Sequence, residues 1–163
     1  MPNEPEFFTE IILKPGEVYF GERDTRIRTL LGSCVAITVW HPLLRIGGMC
    51  HFLLPTNNIA KVGNQLDGRY ADQAMLLFMH ELERTKTRSA DYVVKVFGGG
   101  SQFTSSAKAA GISVPDKNII AGSALLEQHG FKVKAGDLGG TGHRYVIFDI
   151  WSGHVWLRHA KAG

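Results

Sequence analysis

The stretch that decides the fold is CVAITVWHPLLRIGGMCHFLLP, residues 34–55. It holds two apolar runs, 34–40 and 46–54, which are separated by the short break HPLLR. The first run is rich in Val, Ile and Thr, which are typical of strands, and the proline in the break favours a turn. We therefore predict a β-hairpin with one strand in each run.

The two hairpin strands carry a cysteine and a histidine, Cys34 and His51. A turn around residues 42 and 43 pairs residue 40 with residue 45 and places Cys34 directly opposite His51. A register shifted by two pairs Cys34 with Leu53 instead, and His51 then lies on the diagonal, roughly 7 Å away. Because side chains alternate between the faces of a strand, both registers keep the thiol and the imidazole on one face.

The second cysteine, Cys50, has the opposite parity from His51 and shares the face of Val35 and Ile37. Those β-branched side chains are typical of a core, where a thiol behaves as a small hydrophobe. We therefore predict a packing role for Cys50. The alternative is a redox sensor that uses both thiols, but it requires the two cysteines to meet, which the strand parity opposes.

The rest of the chain predicts more strands and two helices. Residues 70–86 carry apolar side chains at spacings of three and four, which indicates a helix. A second helix is predicted to begin at Asp116, as its cap, and to end at Gly130. The further predicted strands are 10–14, 17–20, 26–31, 91–97, 131–137, 144–149 and 154–158. This mixture indicates an α/β or α+β layered domain.

The composition bounds the class of protein. A length of 163 residues predicts a single domain over 1–163, with about 1–8 and 160–163 loosely ordered. Hydrophobic residues make up 44% and charged residues 20%, which argues against a largely disordered chain. Without a signal peptide or a long apolar run, we expect a cytoplasmic protein that does not insert into membranes. The net charge of +3 is dispersed, which argues against nucleic-acid binding.

A thiol beside an imidazole can pass its proton to the ring and attack a carbonyl carbon as a thiolate. Water activated by the same base then hydrolyses the thioester. Gly32 and Ser33 precede Cys34 and provide backbone N–H groups that can support an oxyanion. By spacing alone, however, a buried cysteine and an unrelated histidine are the more common explanation.

Other kinds of site find little support. The seven histidines have no metal-ligand spacing with either cysteine, so we expect no metal and no cofactor. The glycine clusters 98–100 and 139–142 lack the P-loop and dinucleotide patterns and are interpreted as turns. The carboxylates are scattered and are interpreted as surface or turn residues; they include Glu81, Glu83, Asp137 and Asp149.

Several motifs together resemble the chemoreceptor glutamine deamidases known as CheD. They are TLLGSCVA at 29–36, GGMCHFLLP at 47–55, KVFGG at 95–99, DLGG at 137–140 and SGHV at 152–155. The 17-residue interval from Cys34 to His51 is also that of the family. The resemblance extends over nearly the whole chain and reverses the preference for a packing role of Cys34.

The resemblance implies site residues and a fold. Cys34 matches the family nucleophile and His51 its general base. The family's third catalytic residue, a threonine, matches Thr29, with Thr25 as a competing position. The implied fold is an α/β layered sandwich of mixed β-sheets with helices, similar to the catalytic domains of glutamine-deamidating toxins.

The resemblance also implies an activity and partners. Family members convert glutamines to glutamates on the helical cytoplasmic bundle of methyl-accepting chemotaxis receptors, and some also hydrolyse receptor methyl esters. Many bind the chemotaxis phosphatase CheC. A substrate on a long helical bundle requires an open, shallow site, so we expect Cys34 in a surface groove. The main alternative is a binding module that keeps this fold and regulates receptors or CheC.

Overall fold

The computed structural model describes residues 4–57, 65–102 and 111–161. Within these ranges the chain forms nine strands and two α-helices, with a 3-10 turn at Ser89–Asp91. The elements in chain order are β1 (Thr9–Ile12), β2 (Val18–Gly21), β3 (Thr25–Leu31), β4 (Val35–His41), β5 (Ile46–Phe52), α1 (Ala71–Thr85), β6 (Val93–Gly98), α2 (Val114–Gln128), β7 (Val133–Leu138), β8 (His143–Asp149) and β9 (Val155–Ala160).

Two sheets and two helices form three layers. The four-stranded sheet has the order β1-β3-β8-β9, and the five-stranded sheet has the order β2-β5-β4-β6-β7. Each sheet is mixed, because β1 pairs with β3 and β6 pairs with β7 in parallel, whereas the other pairs are antiparallel. Both helices pack on the five-stranded sheet. The predicted α/β layered sandwich is confirmed, and its likeness to toxin domains stays a prediction.

Two cores lie on the two faces of the five-stranded sheet. The core between the sheets contains Leu13, Ile27, Leu31, Ala36, Met49, Phe97, Val146, Phe148 and Ile150. The core beneath the helices includes Val35, Ile37, Val39, Cys50, Phe52, Met75, Phe78, Leu82 and Leu126. Alternate residues of the hairpin therefore enter different cores, as the strand parity predicts. Cys50 is confirmed as a packing residue on the helix side.

The hairpin adopts the shifted register. Trp40 pairs with Gly47, and Ala36 pairs with His51. The prediction that residue 40 pairs with residue 45 is therefore wrong. The turn contains the four residues 42–45, and Arg45 closes it with a positive φ of 51°. A turn of four residues shifts the pairing by two positions, so every side chain keeps its predicted face.

The second helix begins before the predicted cap. Its N-cap is Ser113, whose side-chain oxygen accepts a hydrogen bond from the Asp116 N–H at 3.4 Å. The Asp116 carboxylate accepts in return from the Ser113 hydroxyl at 2.9 Å. Pro115 in the first turn lacks an N–H that the helix does not use there. Asp116 therefore stabilises the start of the helix from inside its first turn.

One carboxylate interpreted as a surface or turn residue is buried. Asp149, on β8, is 4% exposed and binds the Arg26 guanidinium through two hydrogen bonds of 2.7 and 3.0 Å. The Trp156 indole N–H also donates to this carboxylate, at 3.3 Å. Its partners lie on other strands, so the sequence pattern around Asp149 does not reveal its burial.

The chain ends pack against the domain where the structure describes them. The Phe8 ring lies 5.1 Å from the Trp151 ring, and Ala160 ends β9. Residues 1–3, 162 and 163 lie outside the described residues, so the loose order of 1–8 and 160–163, like the single domain over 1–163, stays a prediction. In the described ranges, no helix has the length and apolar character needed to cross a membrane.

Candidate active site

Cys34 lies where the chain passes from one sheet to the other. β3 of the four-stranded sheet ends at Leu31, and β4 of the five-stranded sheet begins at Val35. Gly32, Ser33 and Cys34 form the connection, and each keeps part of its surface exposed. Cys34 packs at the edge of the core between the sheets and is not sealed within it. Its exposure is compatible with the predicted open site.

His51 lies on β5, on the face that looks into the space between the sheets. It is 1% exposed and pairs with Ala36 on the neighbouring strand β4. Ala36 is two residues after Cys34 in the chain. Cys34 and His51 are therefore diagonal neighbours on one face, the closest relation that this register gives them. The described residues show no hydrogen bond between the thiol and the imidazole in this resting arrangement.

Thr29 reaches His51 from the opposite sheet. Its hydroxyl oxygen lies 2.7 Å from His51 Nδ1 and donates its hydrogen to the Leu13 carbonyl at 2.8 Å. A hydroxyl has one hydrogen, and a carbonyl oxygen can only accept. The Thr29 oxygen must therefore accept from Nδ1–H, which leaves Nε2 as the unprotonated nitrogen of the neutral ring. The contact thus selects the tautomer in which Nε2 can take up a proton.

Thr25, the competing threonine, begins the same strand and lies four residues from Thr29. That separation is about 13 Å along a strand. Thr25 is buried, pairs with Thr9 on β1 and accepts the Ile150 N–H through its carbonyl. Of the two threonines, Thr29 is the one in contact with His51.

Burial sets the resting protonation of the pair. It raises the pKa of the Cys34 thiol above its usual value, and a hydrogen bond from the Ser33 side chain partly opposes that rise. Burial also lowers the pKa of His51 to about 4. At neutral pH the resting pair is therefore a thiol and a neutral imidazole, and not a preformed ion pair.

Stability should fall at mildly acidic pH because of His51. The unfolded chain takes up this proton near pH 6.5, whereas the folded state resists until about pH 4. Above pH 6.5 both states are neutral, so this contribution to stability is intact there and is lost as the pH falls. We expect a loss of about 1.4 kcal/mol per pH unit in that window, roughly 3 kcal/mol in all. Urea unfolding at pH 7, 6, 5 and 4 measures it.

His51→Gln provides the control for this pH dependence, because glutamine can still bond Thr29 but does not titrate. Its unfolding free energy should decline less steeply than that of the wild type between pH 6.5 and 4. Equal slopes for the two proteins would show that His51 is not the group responsible.

The first glycine cluster forms hydrogen bonds to the backbone around the candidate nucleophile. The Gly99 N–H donates to the Cys34 carbonyl at 2.8 Å, and the Gly100 N–H donates to the Gly32 carbonyl at 3.0 Å. Gly98 has a φ of +112°, and a side chain there would collide with the Cys34 carbonyl oxygen. The interpretation of this cluster as a turn is therefore incomplete, because it also holds the residues around Cys34 in place.

The second glycine cluster supports the first. The Gly139 N–H donates to the Gly98 carbonyl at 2.9 Å, and the Ser101 N–H donates to the Gly140 carbonyl at 2.9 Å. Gln102 adds side-chain bonds to the carbonyls of Gly100 and Gly142 at 2.9 and 2.7 Å. The two clusters thus form one hydrogen-bonded unit next to the candidate nucleophile.

A buried arginine that the sequence pattern does not single out joins the two clusters. Arg144, on β8, is 2% exposed and donates to the carbonyls of Gly98 and Gly139 at 3.2 and 2.7 Å. Its charge is balanced by the half-exposed Asp137 at 2.8 Å. Asp137 is thus a surface residue, as predicted, and it is also the ion-pair partner that anchors Arg144.

Arg144→Met should lower the free energy of unfolding by about 3 kcal/mol. Methionine fills part of the space but leaves the Gly98 and Gly139 carbonyls without their donor, and broken buried ion pairs cost this much. Urea unfolding at neutral pH measures the loss. Arg158→Met, at an exposed position on β9, should change it by less than about 1 kcal/mol. A similar loss for both variants would contradict the assigned role.

Cys50 is separated from this site by the sheet. It is buried in the core beneath the helices, and burial raises the pKa of its thiol to about 12. Both cysteines are free thiols, on opposite faces of the five-stranded sheet. The redox alternative that requires a bridge between Cys34 and Cys50 is therefore disfavoured.

No cluster of three or more histidine, cysteine, aspartate or glutamate side chains in the described ranges has the arrangement to hold a metal ion. The candidate site is thus described by Cys34, His51 and Thr29 with their backbone support. Its components are a thiol with access to solvent, an imidazole in a defined tautomer, and the 32–34 segment, whose Gly32 and Cys34 carbonyls accept hydrogen bonds from the first glycine cluster. Such a set suits acyl transfer through a sulfur nucleophile.

Comparison with known proteins identifies similar chains. The family described as CheD chemotactic sensory transduction matches residues 53–159, a range that includes both helices but neither Cys34 nor His51. A protein of Pseudomonas savastanoi pv. phaseolicola, named "Probable chemoreceptor glutamine deamidase CheD", is 52% identical over 158 residues, which cover 96% of this chain and 88% of the relative.

More distant relatives have similar names. A protein of Pseudomonas fluorescens (strain SBW25) with the same name is 47% identical, over 98% of this chain and 90% of its own. "Probable chemoreceptor glutamine deamidase CheD 1" of Leptospira interrogans is 39% identical, over 97% of both chains.

Proposed function

The chain belongs to the CheD family, and from that membership we propose that it deamidates glutamine side chains of chemotaxis receptors, with Cys34 as nucleophile and His51 as general base. The observation that carries the proposal is the bond from His51 Nδ1–H to Thr29, whose hydroxyl is itself committed to the Leu13 carbonyl. It leaves Nε2 as the nitrogen that can accept a proton, and His51 and Cys34 are diagonal neighbours in the hairpin register.

The reaction begins with proton transfer from the Cys34 thiol to His51 Nε2 as the sulfur attacks the glutamine Cδ. A new S–C bond forms, and the carbonyl electron pair moves onto oxygen. The imidazolium then returns its proton to the amide nitrogen, and ammonia leaves as the C–N bond breaks. The product of this half-reaction is a thioester between Cys34 and the substrate.

The second half-reaction uses the same base. His51 Nε2 removes a proton from water as the water oxygen attacks the thioester carbonyl. The C–S bond then breaks, the imidazolium returns its proton to the sulfur, and the new carboxylic acid ionises to glutamate. A receptor methyl ester can follow the same steps with methanol as the leaving group. A methylesterase side activity is therefore part of the proposal.

The low pKa of His51 determines when the proton moves between Cys34 and His51. With a pKa of about 4 the ring is neutral at physiological pH and is available as a base. Because burial also raises the pKa of Cys34, proton transfer belongs to the attack step, when the developing oxyanion compensates for the charge on the ring. Backbone N–H groups at Gly32, Ser33 and Cys34 are the proposed oxyanion support.

The substrate and its location follow from the family. The receptor glutamines that family members deamidate lie on a helical bundle in the cytoplasm. We therefore propose that this protein also acts in the cytoplasm. The partial exposure of Cys34 suits a side chain presented from such a surface. The positive net charge of +3 would favour encounter with an acidic partner surface. The phosphatase CheC is a further proposed partner.

The direct test is incubation with receptor cytoplasmic fragments, followed by peptide mass mapping for the gain in mass of deamidation and by measurement of released ammonia. Deamidated glutamines in the wild-type reaction support the proposal, and their positions identify the substrates. A wild-type protein that binds the fragments but leaves every glutamine unchanged would instead be a regulatory binding module.

A further inference from the structure

Asn118 joins the two chain segments that carry the candidate nucleophile and base. It lies in the first turns of α2, is 0% exposed, and belongs to the buried stripe Asn118, Gly122 and Leu126. Its Nδ2 donates to the Ser33 carbonyl at 3.2 Å and to the Leu53 carbonyl at 2.8 Å. Ser33 precedes Cys34, and Leu53 lies two residues after His51.

The contact occurs where the hairpin opens. The pairing of β4 with β5 ends at Val35, the residue after Cys34, and at Phe52, the residue after His51. Beyond that point the side-chain amide of Asn118 bridges the two backbones, in place of a direct strand pair. Beyond the last strand pair, the two backbones are thus held together by a residue of the helix layer.

The bond to Ser33 also orients the N–H of the nucleophile. The Ser33 carbonyl and the Cys34 N–H belong to one planar trans peptide and point in opposite directions. The carbonyls of Gly32 and Cys34 are held by the first glycine cluster, so three consecutive peptides have fixed orientations. Among the described residues, neither Ser33 nor Cys34 donates its N–H to a backbone carbonyl. Hydrogen bonding to the carbonyl end of a peptide strengthens its N–H as a donor.

The oxygen of the Asn118 side-chain amide accepts no hydrogen bond from the described residues. This Oδ1 atom is buried. An unsatisfied buried acceptor opposes stability, so an asparagine here is not explained by packing alone. The two donated bonds are what distinguish it from an apolar residue of similar size.

We propose that Asn118 is a positioning residue that holds the Ser33–Cys34 peptide so that the Cys34 N–H donates to the oxyanion formed when the Cys34 thiolate attacks a carbonyl. The inference rests on the proposed role of Cys34 as nucleophile. In this proposal Asn118 acts through the Ser33–Cys34 peptide, whose carbonyl it binds.

Two chemical probes of Cys34 separate this role from general structural support. p-Nitrophenyl acetate acylates the thiolate: a thioester forms, p-nitrophenolate leaves, and an oxyanion develops at the carbonyl. Iodoacetamide alkylates the same sulfur with loss of iodide, and no oxyanion develops on the way. The ratio of the two rate constants therefore reports oxyanion stabilisation independently of thiol access. It needs no receptor substrate.

Asn118→Leu should lower the acylation rate at least about tenfold while the alkylation rate stays within about twofold of wild type. Leu126→Ala is the matched control, because it destabilises the same buried stripe far from Ser33 and should leave the ratio unchanged. Stopped-flow release of p-nitrophenolate and mass spectrometry of the alkylated Cys34 peptide supply the two rates. If Asn118→Leu does not fold, Asn118→Ala takes its place.

An unchanged ratio in the Asn118 variant overturns the proposal, as does an equal change in Leu126→Ala. A wild-type protein that is alkylated at Cys34 but not acylated also overturns it. A wild-type protein that is acylated, shows the predicted dependence on Asn118 and leaves receptor glutamines unchanged contradicts only the proposed receptor deamidation.

Discussion

Cys34→Ala is expected to reduce deamidation of receptor fragments by at least about 10⁴-fold, which in practice abolishes ammonia release. The expected loss is this large because removing the nucleophile of a catalytic unit removes the covalent route altogether and leaves only backbone support for direct attack by water. The alanine side chain is smaller and apolar, and its partly exposed position tolerates the change. Ammonia release and mass mapping of the receptor peptides measure the loss.

Cys50→Ala is the control for this variant, because it removes the other thiol of the chain from the opposite face of the same sheet. It should keep kcat within about twofold and lower stability only modestly. Receptor binding, measured separately, should persist in Cys34→Ala. Ammonia release that is unchanged in Cys34→Ala would remove the enzyme proposal and favour the regulatory binding module.

The hairpin shows what local sequence determines and what it leaves open. Alternation along 34–40 places Val35 and Ile37 in one core and Ala36 in the other, as the pattern predicts. The register could not be deduced in the same way, because the break HPLLR is compatible with a turn of two or four residues. The left-handed conformation of Arg45, which closes the longer turn, has no glycine to reveal it.

The candidate site can be predicted from the sequence only in part, for the same reason. Cys34 and His51 are linked by a hairpin, so strand parity alone relates them. Thr29 lies in another sheet, and its contact with His51 depends on how the sheets stack, which no local pattern specifies. Thr29 is therefore predicted by the family resemblance and not by strand parity.

Two supporting residues depend on tertiary structure in the same way. Asn118 is the polar member of the spacing 118, 122, 126 on the buried face of a helix. Its partners, Ser33 and Leu53, become neighbours only when that helix packs over the open end of the hairpin. Arg144 has no periodic signal, because its partners are carbonyls of two glycine clusters that meet only in the folded state.

Thr29→Val should lower kcat by about 10²-fold to 10⁴-fold, with KM nearly unchanged, when ammonia release is measured across receptor-fragment concentrations. Valine has the shape of threonine but removes the acceptor for His51 Nδ1–H, so the ring is free to place its proton on Nε2 and can no longer act as a base. In a serine protease, holding the histidine in the wrong tautomer has a cost of this order. Thr29 is 5% exposed, which is why substrate affinity should be little affected.

Thr29→Ser separates the hydroxyl from the rest of the side chain. It keeps the oxygen that bonds both Leu13 and His51, so it should retain activity within about tenfold while Thr29→Val does not. Thr25→Val removes a buried threonine hydroxyl from the same strand and should leave kcat within about twofold. If Thr25→Val lost activity and Thr29→Val kept it, the third catalytic position would be Thr25, and the tautomer of His51 would have to be set by another contact. If serine failed as completely as valine, the methyl group of Thr29 and its packing, rather than the hydrogen bond, would be responsible for the loss.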